Sequence, residues 1–272
     1  MSSANTPGQH PPTWSLDFGP RHTRPPAPQQ PTRHLAHVYP HQPMSLSGIS
    51  LRAFLLGAAF SLGLLSAVLV LALTSSPLWR IPFFLACLSL FHFLEFWSTA
   101  RRNTPEATVN AFLLTANWPA YPVAHAAAVL ECLATCLLFP GRRWAAPPVD
   151  KALLAAGLGM VVAGQAVRSV AMLHAGASFN HTVQTKKADS HRLVTTGVYG
   201  VLRHPGYFGF FYWGLGTQLV LGNVLCFAGY SYVLHKFFSS RVAVEERKLV
   251  EFFGDEYVEY RRRVGTMIPF VG

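Results

Sequence analysis

Between Arg52 and Arg80 the chain carries no ionisable side chain. That stretch exceeds the roughly 20 apolar residues an α-helix needs to cross a bilayer. Lipid offers no partner for an unpaired backbone amide, so such a segment has to be helical. The reading is a first span over Ile49–Leu73, whose Gly57, Ala58, Ala59, Ser61 and Gly63 allow close helix packing. The same pattern predicts spans over Leu78–Trp97, Trp118–Phe139 and Lys151–Leu173, a short interfacial helix over Thr104–Trp118, and a loop over Gly141–Val149. Only 12% of the 272 residues are charged, against about 25% in soluble chains.

Ionisable residues inside these spans default to a function or a partner. Glu95 stands just before Arg101-Arg102, which predicts a pairing with an arginine near the interface. Arg168, late in the fourth span, either snorkels to the surface or lines a polar cavity.

A last uncharged run lies between Arg203 and Lys236. One straight helix through it would measure about 45–50 Å, against a hydrocarbon core of about 30 Å. Gly222-Asn223 is a turn signal in its middle. The expectation is a hairpin, with helix five over Pro205–Leu221 and helix six from Val224 to about Ser240. Its two ends then return to one side, where the polar stretch Gly176–His204 and the tail can share a site. In the tail, an amphipathic helix starts at Glu245, Gly254 ends or kinks it, and Tyr257, Tyr260 and Arg261-Arg262-Arg263 suit a membrane surface. The fold class is therefore an all-α integral membrane protein with about six transmembrane helices, the last two a hairpin, followed by a cytosolic loop-and-helix region. Three regions result: a Pro- and His-rich disordered arm over 1–45, four membrane helices over 46–175, and a functional region over 176–272.

The formal charge of +10 suits anionic surfaces. No helix-turn-helix, zinc-finger or aromatic-basic RNA motif accompanies it, so lipid is expected and nucleic acid is not. Positive-inside counting puts Arg101-Arg102, Lys186-Lys187, Arg192, Arg203 and Arg261-Arg262-Arg263 in the cytosol, with Arg142-Arg143 on the other side against the rule. The first forty residues lack the apolar core of a signal peptide. Cys87, Cys132, Cys136 and Cys226 lie in apolar segments and read as small buried hydrophobes. His174, His181, His191 and His204 lack tight His-x-x-x-His spacing and nearby cysteines, so no metal is expected.

The pivot is Arg203-His204-Pro205-Gly206-Tyr207. A residue before proline is pushed toward extended backbone, and proline suits the first helical position, where its missing N–H costs nothing. A helix opening there presents free N–H groups that favour an anion such as a carboxylate. His204 is positioned to cap that helix. Arg241 and Glu245 are four residues apart on one helix face, and spacing alone reads as an ordinary ion pair.

Taken in order, Asn180-His181-Thr182-Val183-Gln184, His191-Arg192-Leu193-Val194-Thr195, Gly197-Val198-Tyr199, Arg203-His204-Pro205-Gly206-Tyr207, Phe211-Tyr212-Trp213, Gly216-Thr217-Gln218, Glu245-Glu246 and Phe252-Phe253-Gly254 resemble the isoprenylcysteine carboxyl methyltransferase family. The resemblance runs from Arg168 to Phe270. It implies methyl esterification of the C-terminal prenylcysteine of processed CaaX proteins, at the endoplasmic reticulum membrane, with the site facing the cytosol. It also implies S-adenosyl-L-methionine as donor, touching Gln184, His191, Arg192, Leu193, Val194, Tyr199, His204, Pro205, Gly206, Tyr207 and Glu245. The substrate carboxylate then falls to Arg241. Where the family often has serine after His-Pro, this chain has Gly206, so only backbone contact carries over there.

An α-carboxyl has a pKa of about 3.5, so the nucleophile is ionised at neutral pH and no general base is required. An arginine fork suits two carboxylate oxygens. Phe208, Phe211, Trp213, Gly214 and Gly216 are candidates to line a groove for the prenyl chain, against the plainer reading of ordinary helix packing. Two other classes remain: a related membrane fold acting on another lipid (a phospholipid methyltransferase or an NADPH-dependent sterol reductase), and a non-catalytic scaffold or transporter.

Overall fold

The structure, a computed structural model, describes residues 33–139, 147–187 and 191–272. The arm expected over 1–45 and the Arg142-Arg143 pair fall largely or wholly outside them. The chain divides into two units, residues 1–36 and 37–272. Among the described residues, the α-helices all lie in the second: α1 Leu46–Leu73, α2 Arg80–Arg102, α3 Ala120–Leu138, α4 Pro147–Ala175, α5 Pro205–Leu221, α6 Leu225–Phe253 and α7 Asp255–Arg263. Among the described residues, four stretches are long and apolar enough to cross a membrane: Leu46–Leu73, Pro77–Arg102, Ala120–Leu138 and Pro148–Ser178. The 17 residues of α5 span about 25 Å at 1.5 Å per residue.

Three expectations change. Thr104–Trp118 is not an interfacial helix but two short 3-10 turns, Thr104–Glu106 and Val109–Phe112. Thr108 caps the start of the second turn by accepting from the Asn110 N–H, and Leu113 leaves it with φ of 56°. The turn drives Phe112 inward to stack on Phe96, ring centroids 4.2 Å apart. The expected loop over Gly141–Val149 is helical from Pro147, because consecutive prolines are tolerated in a first turn that lacks intrahelical N–H partners. Helix six does not stop near Ser240. It runs unbroken to Phe253, because no residue between Leu225 and Phe253 opposes the helix strongly apart from Gly229. Its 29 residues span about 43 Å, more than the thickness of a hydrocarbon core. At Gly254 φ is 56° and ψ −133°, a conformation only glycine adopts comfortably, and α7 starts at once.

The central helix is α5, buried along most of its length. It lies on α4 with backbone-to-backbone intimacy. A Cβ on Gly164 would stand 2.6 Å from the Gly209 carbonyl oxygen, and a Cβ on Gly216 2.9 Å from that of Gly157. The seam expected within α1 is narrower. Gly63 meets the Pro82 carbonyl of α2, while Gly57 faces open space. Trp213 packs on Phe91, Gly214 faces Leu234, and Gly216 sits in the α4 seam. These three are therefore spent on helix packing rather than on a groove.

The hairpin turn is clamped from α3. Gly222 takes φ of 73° to end α5, and Asn223 donates to the Ala128 carbonyl at 2.9 Å. The Glu131 carboxylate accepts the N–H groups of Val224, Leu225 and Cys226 at 2.7, 2.9 and 2.7 Å. It caps a helix whose own N-cap residue supplies no side-chain oxygen.

Candidate functional site

At the other end of the bundle, the polar stretch, the first turn of α5, the last turns of α6 and α7 enclose a cleft with about 890 Å³ of space, part of it open to solvent. The sequence pattern of the hinge explains its floor. His204 has φ of −125° and ψ of 65°, Pro205 opens α5, and the helix points its N-terminus at the cleft. Gln184, His191, Arg192, Leu193, Val194, Tyr199, His204, Pro205, Gly206, Tyr207 and Glu245 all line it. Ser178, Phe179, Lys248, Leu249, Phe252, Phe253, Tyr257 and Tyr260 line it too, and sequence reasoning assigned none of them to the site.

His204 does not cap its helix. Its Nε2 lies 3.2 Å from Glu246 Oε1 and its Nδ1 3.9 Å from Glu245, and its ring stacks on Tyr207. The contacts confirm that the hairpin doubles back, because the first residues of α5 touch the last turns of α6. Glu246 is buried and gathers three partners: His204, Arg203 at 2.6 Å and Arg261 at 3.4 Å. Burial alone would raise its pKa. The His204 hydrogen bond and the Arg203 charge overcome that and hold the carboxyl down at about 2. Arg203 also donates to the carbonyls of Arg261 and Val264, at 3.2 and 2.5 Å. This knot fixes α7 across the cleft. The matching dipeptides Arg203-His204 and Glu245-Glu246 were the signal for it in the sequence.

Tyr257 and Tyr260 do not present their side chains outward as a surface pattern would require. They are 1% and 3% exposed, and the Tyr260 hydroxyl donates to the Tyr199 carbonyl at 2.6 Å. Burial pushes the Tyr260 phenol up to about 12. The opposite face of α7 carries the exposed Arg262 and Arg263. Above the cleft, Lys187 donates to the Phe252 carbonyl at 2.9 Å and sits 4.5 Å over the Phe253 ring. His191 stands beside both phenylalanines, with its Nε2 on the Ser178 carbonyl at 3.2 Å. Its buried Nδ1 has no partner among the described residues.

Arg241 lies beside the cleft rather than in its wall. It does not pair directly with Glu245. Its Nε donates to the Tyr207 hydroxyl at 3.1 Å, and that hydroxyl donates onward to Glu245 Oε2. Its Nη2 donates to the His181 carbonyl. Tyr207 thus links the two residues that spacing alone reads as an ion pair.

Beneath the cleft, Arg168 does not snorkel to the surface. It is buried, and it grips Glu95 with two nitrogens, Nη2 to Oε2 at 2.7 Å. Its Nη1 donates to the Gly206 carbonyl at 2.9 Å. The arginine partner of Glu95 is therefore Arg168, seventy-odd residues away in sequence, rather than Arg101 or Arg102. Among the described residues, no three His, Cys, Asp or Glu side chains gather as metal ligands.

Residues 157–251 match the Isoprenylcysteine carboxyl methyltransferase (ICMT) family. The chain is 44% identical over 214 residues to the protein-S-isoprenylcysteine O-methyltransferase of Saccharomyces cerevisiae, covering 78% of this chain and 89% of that one. Against the Homo sapiens protein of the same name it is 39% identical over 226 residues, 82% of this chain and 75% of that one. It superposes on a solved structure of the eukaryotic intramembrane Ras methyltransferase ICMT with a TM-score of 0.72 at 35% identity, covering 82% of this chain and 77% of that chain. With a cleft lined by polar and aromatic side chains at the end of a membrane-helix bundle and relatives that match across it, the chain belongs to the isoprenylcysteine carboxyl methyltransferase family.

Proposed function

We propose that the protein methyl-esterifies the C-terminal S-prenylcysteine α-carboxylate of processed CaaX proteins, using S-adenosyl-L-methionine, at the cytosolic face of the endoplasmic reticulum membrane. The observation that carries the reading is the linkage Arg241–Tyr207–Glu245, which joins the carboxylate holder to the wall of the cleft. Residues 176–272 then form the catalytic region, and α5 and α6 complete a bundle of six spans.

The cleft suits the donor. It combines a carboxylate (Glu245), a helix N-terminus, several aromatic rings and the unpartnered Nδ1 of His191. These can meet, respectively, a cationic amine, an anionic carboxylate, a purine and a polar edge of the nucleoside. When bound, the donor supplies an electrophilic methyl group on sulfur. Glu245 and the first turn of α5 hold it at one end of the linkage. Arg241 holds the substrate carboxylate at the other. Two of its nitrogens are committed to Tyr207 and His181, and Nη1 has no partner among the described residues, which leaves an edge for a carboxylate oxygen. The nucleophile is already ionised, so these residues contribute alignment and exclusion of water rather than proton transfer. Orientation of that kind can supply up to about 7–11 kcal/mol.

The test is to incubate membranes carrying the protein with methyl-labelled donor and farnesyl-cysteine. Base-labile label on the prenylcysteine is the expected result. Label on phospholipid instead, or no transfer by a correctly inserted protein, would overturn the reading.

A further inference from the structure

His181 belongs to the motif Asn180–Gln184, yet it alone of those five residues does not line the cleft. Its ring turns down into the bundle. There Nδ1 lies 3.5 Å from Glu95 Oε2 and Nε2 3.3 Å from Thr99 Oγ1, both on α2, while Phe179 meets the ring edge-on at 5.4 Å. Its carbonyl points the other way and accepts Arg241 Nη2. We propose that His181 is a positioning residue: its ring, seated on Glu95 and Thr99, sets the backbone carbonyl that aims Arg241 at the substrate carboxylate. The inference rests on the function proposed above.

The geometry gives this seat a definite job. Glu95 is held rigidly by Arg168, and Arg168 also holds the Gly206 carbonyl in the first turn of α5. One buried ion pair therefore references both sides of the site. Through Arg168 it fixes the helix end that faces the cofactor cleft. Through His181 it fixes the arginine beside it. Replacing a buried ion pair by packed apolar side chains is often neutral for stability, so stability alone does not account for this one. A two-sided reference does, because transfer depends on the separation of two bound groups. An acid–base role for the ring does not fit. Burial lowers its pKa, Glu95 opposes that, and Arg168 and Arg241 add to it. The ring, turned away from the cleft, acts as a spacer.

The experiment compares wild type with His181→Ala and His181→Asn, reading KM for farnesyl-cysteine, KM for the donor and binding of labelled donor. Losing the ring's contacts with both Glu95 and Thr99 should raise the farnesyl-cysteine KM about tenfold or more. Donor KM and donor binding should stay within about twofold, a split that general misfolding would not give. Asparagine places an amide nitrogen where Nδ1 stands and should recover most of the loss. A wild-type farnesyl-cysteine KM in His181→Ala would overturn the inference, as would an equal rise for both substrates. If the alanine variant does not insert, His181→Asn and His181→Gln carry the test. Asn should keep the low KM, and Gln, which reaches only the Nε2 position, should not; equal values overturn the inference. Failure of the wild type to transfer at all would instead remove the underlying function.

Discussion

A single methyl group on Gly209 should displace the mouth of the cleft. Its Cβ would stand 2.6 Å from the Gly164 carbonyl oxygen and 2.8 Å from both the backbone nitrogen and the Cβ of Arg168. These are backbone atoms and the base of a buried side chain, so no rotamer change relieves them. Ordinary contact starts at 3.4 Å, so α4 and α5 must part by about 0.8 Å locally, an overpacking cost of about 1–3 kcal/mol. Gly209 lies one turn beyond Pro205-Gly206-Tyr207, and Arg168 is the residue that fixes the Gly206 carbonyl. A misplacement near 1 Å can cost about a hundredfold in rate. Gly209→Ala should therefore lower kcat/KM for farnesyl-cysteine by about 10- to 100-fold while the protein remains inserted. The control is Gly57→Ala on α1, where nothing lies within 4 Å. There the gain in helix propensity, up to about 1 kcal/mol in water, should leave activity unchanged. Wild-type kcat/KM in Gly209→Ala, measured with the same prenylcysteine assay, would refute the argument that the seam sets the site.

Three further outcomes can be checked. Arg241→Ala and Glu245→Ala should abolish methyl transfer without preventing insertion, and Tyr207→Phe should lower it about 10- to 100-fold by removing the hydroxyl between them, measured by label transfer. Glu246→Gln should cost about 3–5 kcal/mol by leaving the buried Arg203 unpaired, read as a lower thermal midpoint and faster proteolysis of α7. Because the Glu246 carboxyl is held at about 2 against an ordinary 4.5, its stabilisation is complete above about pH 4.5. It declines as pH falls toward 2, and a thermal series over pH 3–6 should lose this slope in the glutamine variant. Glu131→Ala should destabilise by about 1–2 kcal/mol by uncapping α6, with hydrogen exchange rising first at residues 224–226.

Much of the site was legible because its residues are close in sequence and chemically distinctive. Pro205 opened α5 and Gly222 closed it where the rules for helix ends place them. The pairing rules for neighbours along a helix reached Arg241 and Glu245, but they gave a direct ion pair. Tyr207, which arrives from α5, turned that pair into a three-residue chain. Tyr257 and Tyr260 fitted an interfacial pattern as sequence, and were drawn inward instead by the knot of Arg203 and Glu246.

The chain by itself determined the solvent and the scaffold. Uncharged runs must be helices in lipid, because there the backbone can bond only to itself. A run too long for one crossing must turn at its glycine. What only the tertiary structure decided is which distant polar groups meet. Glu95 chose Arg168 over two nearer arginines, Glu131 reached across to cap α6, and His181 turned from the cleft to the α2 face. The physical reason is that a buried charge must find a partner wherever packing brings one. Helix spacing along the chain says nothing about which face of a neighbouring helix will arrive.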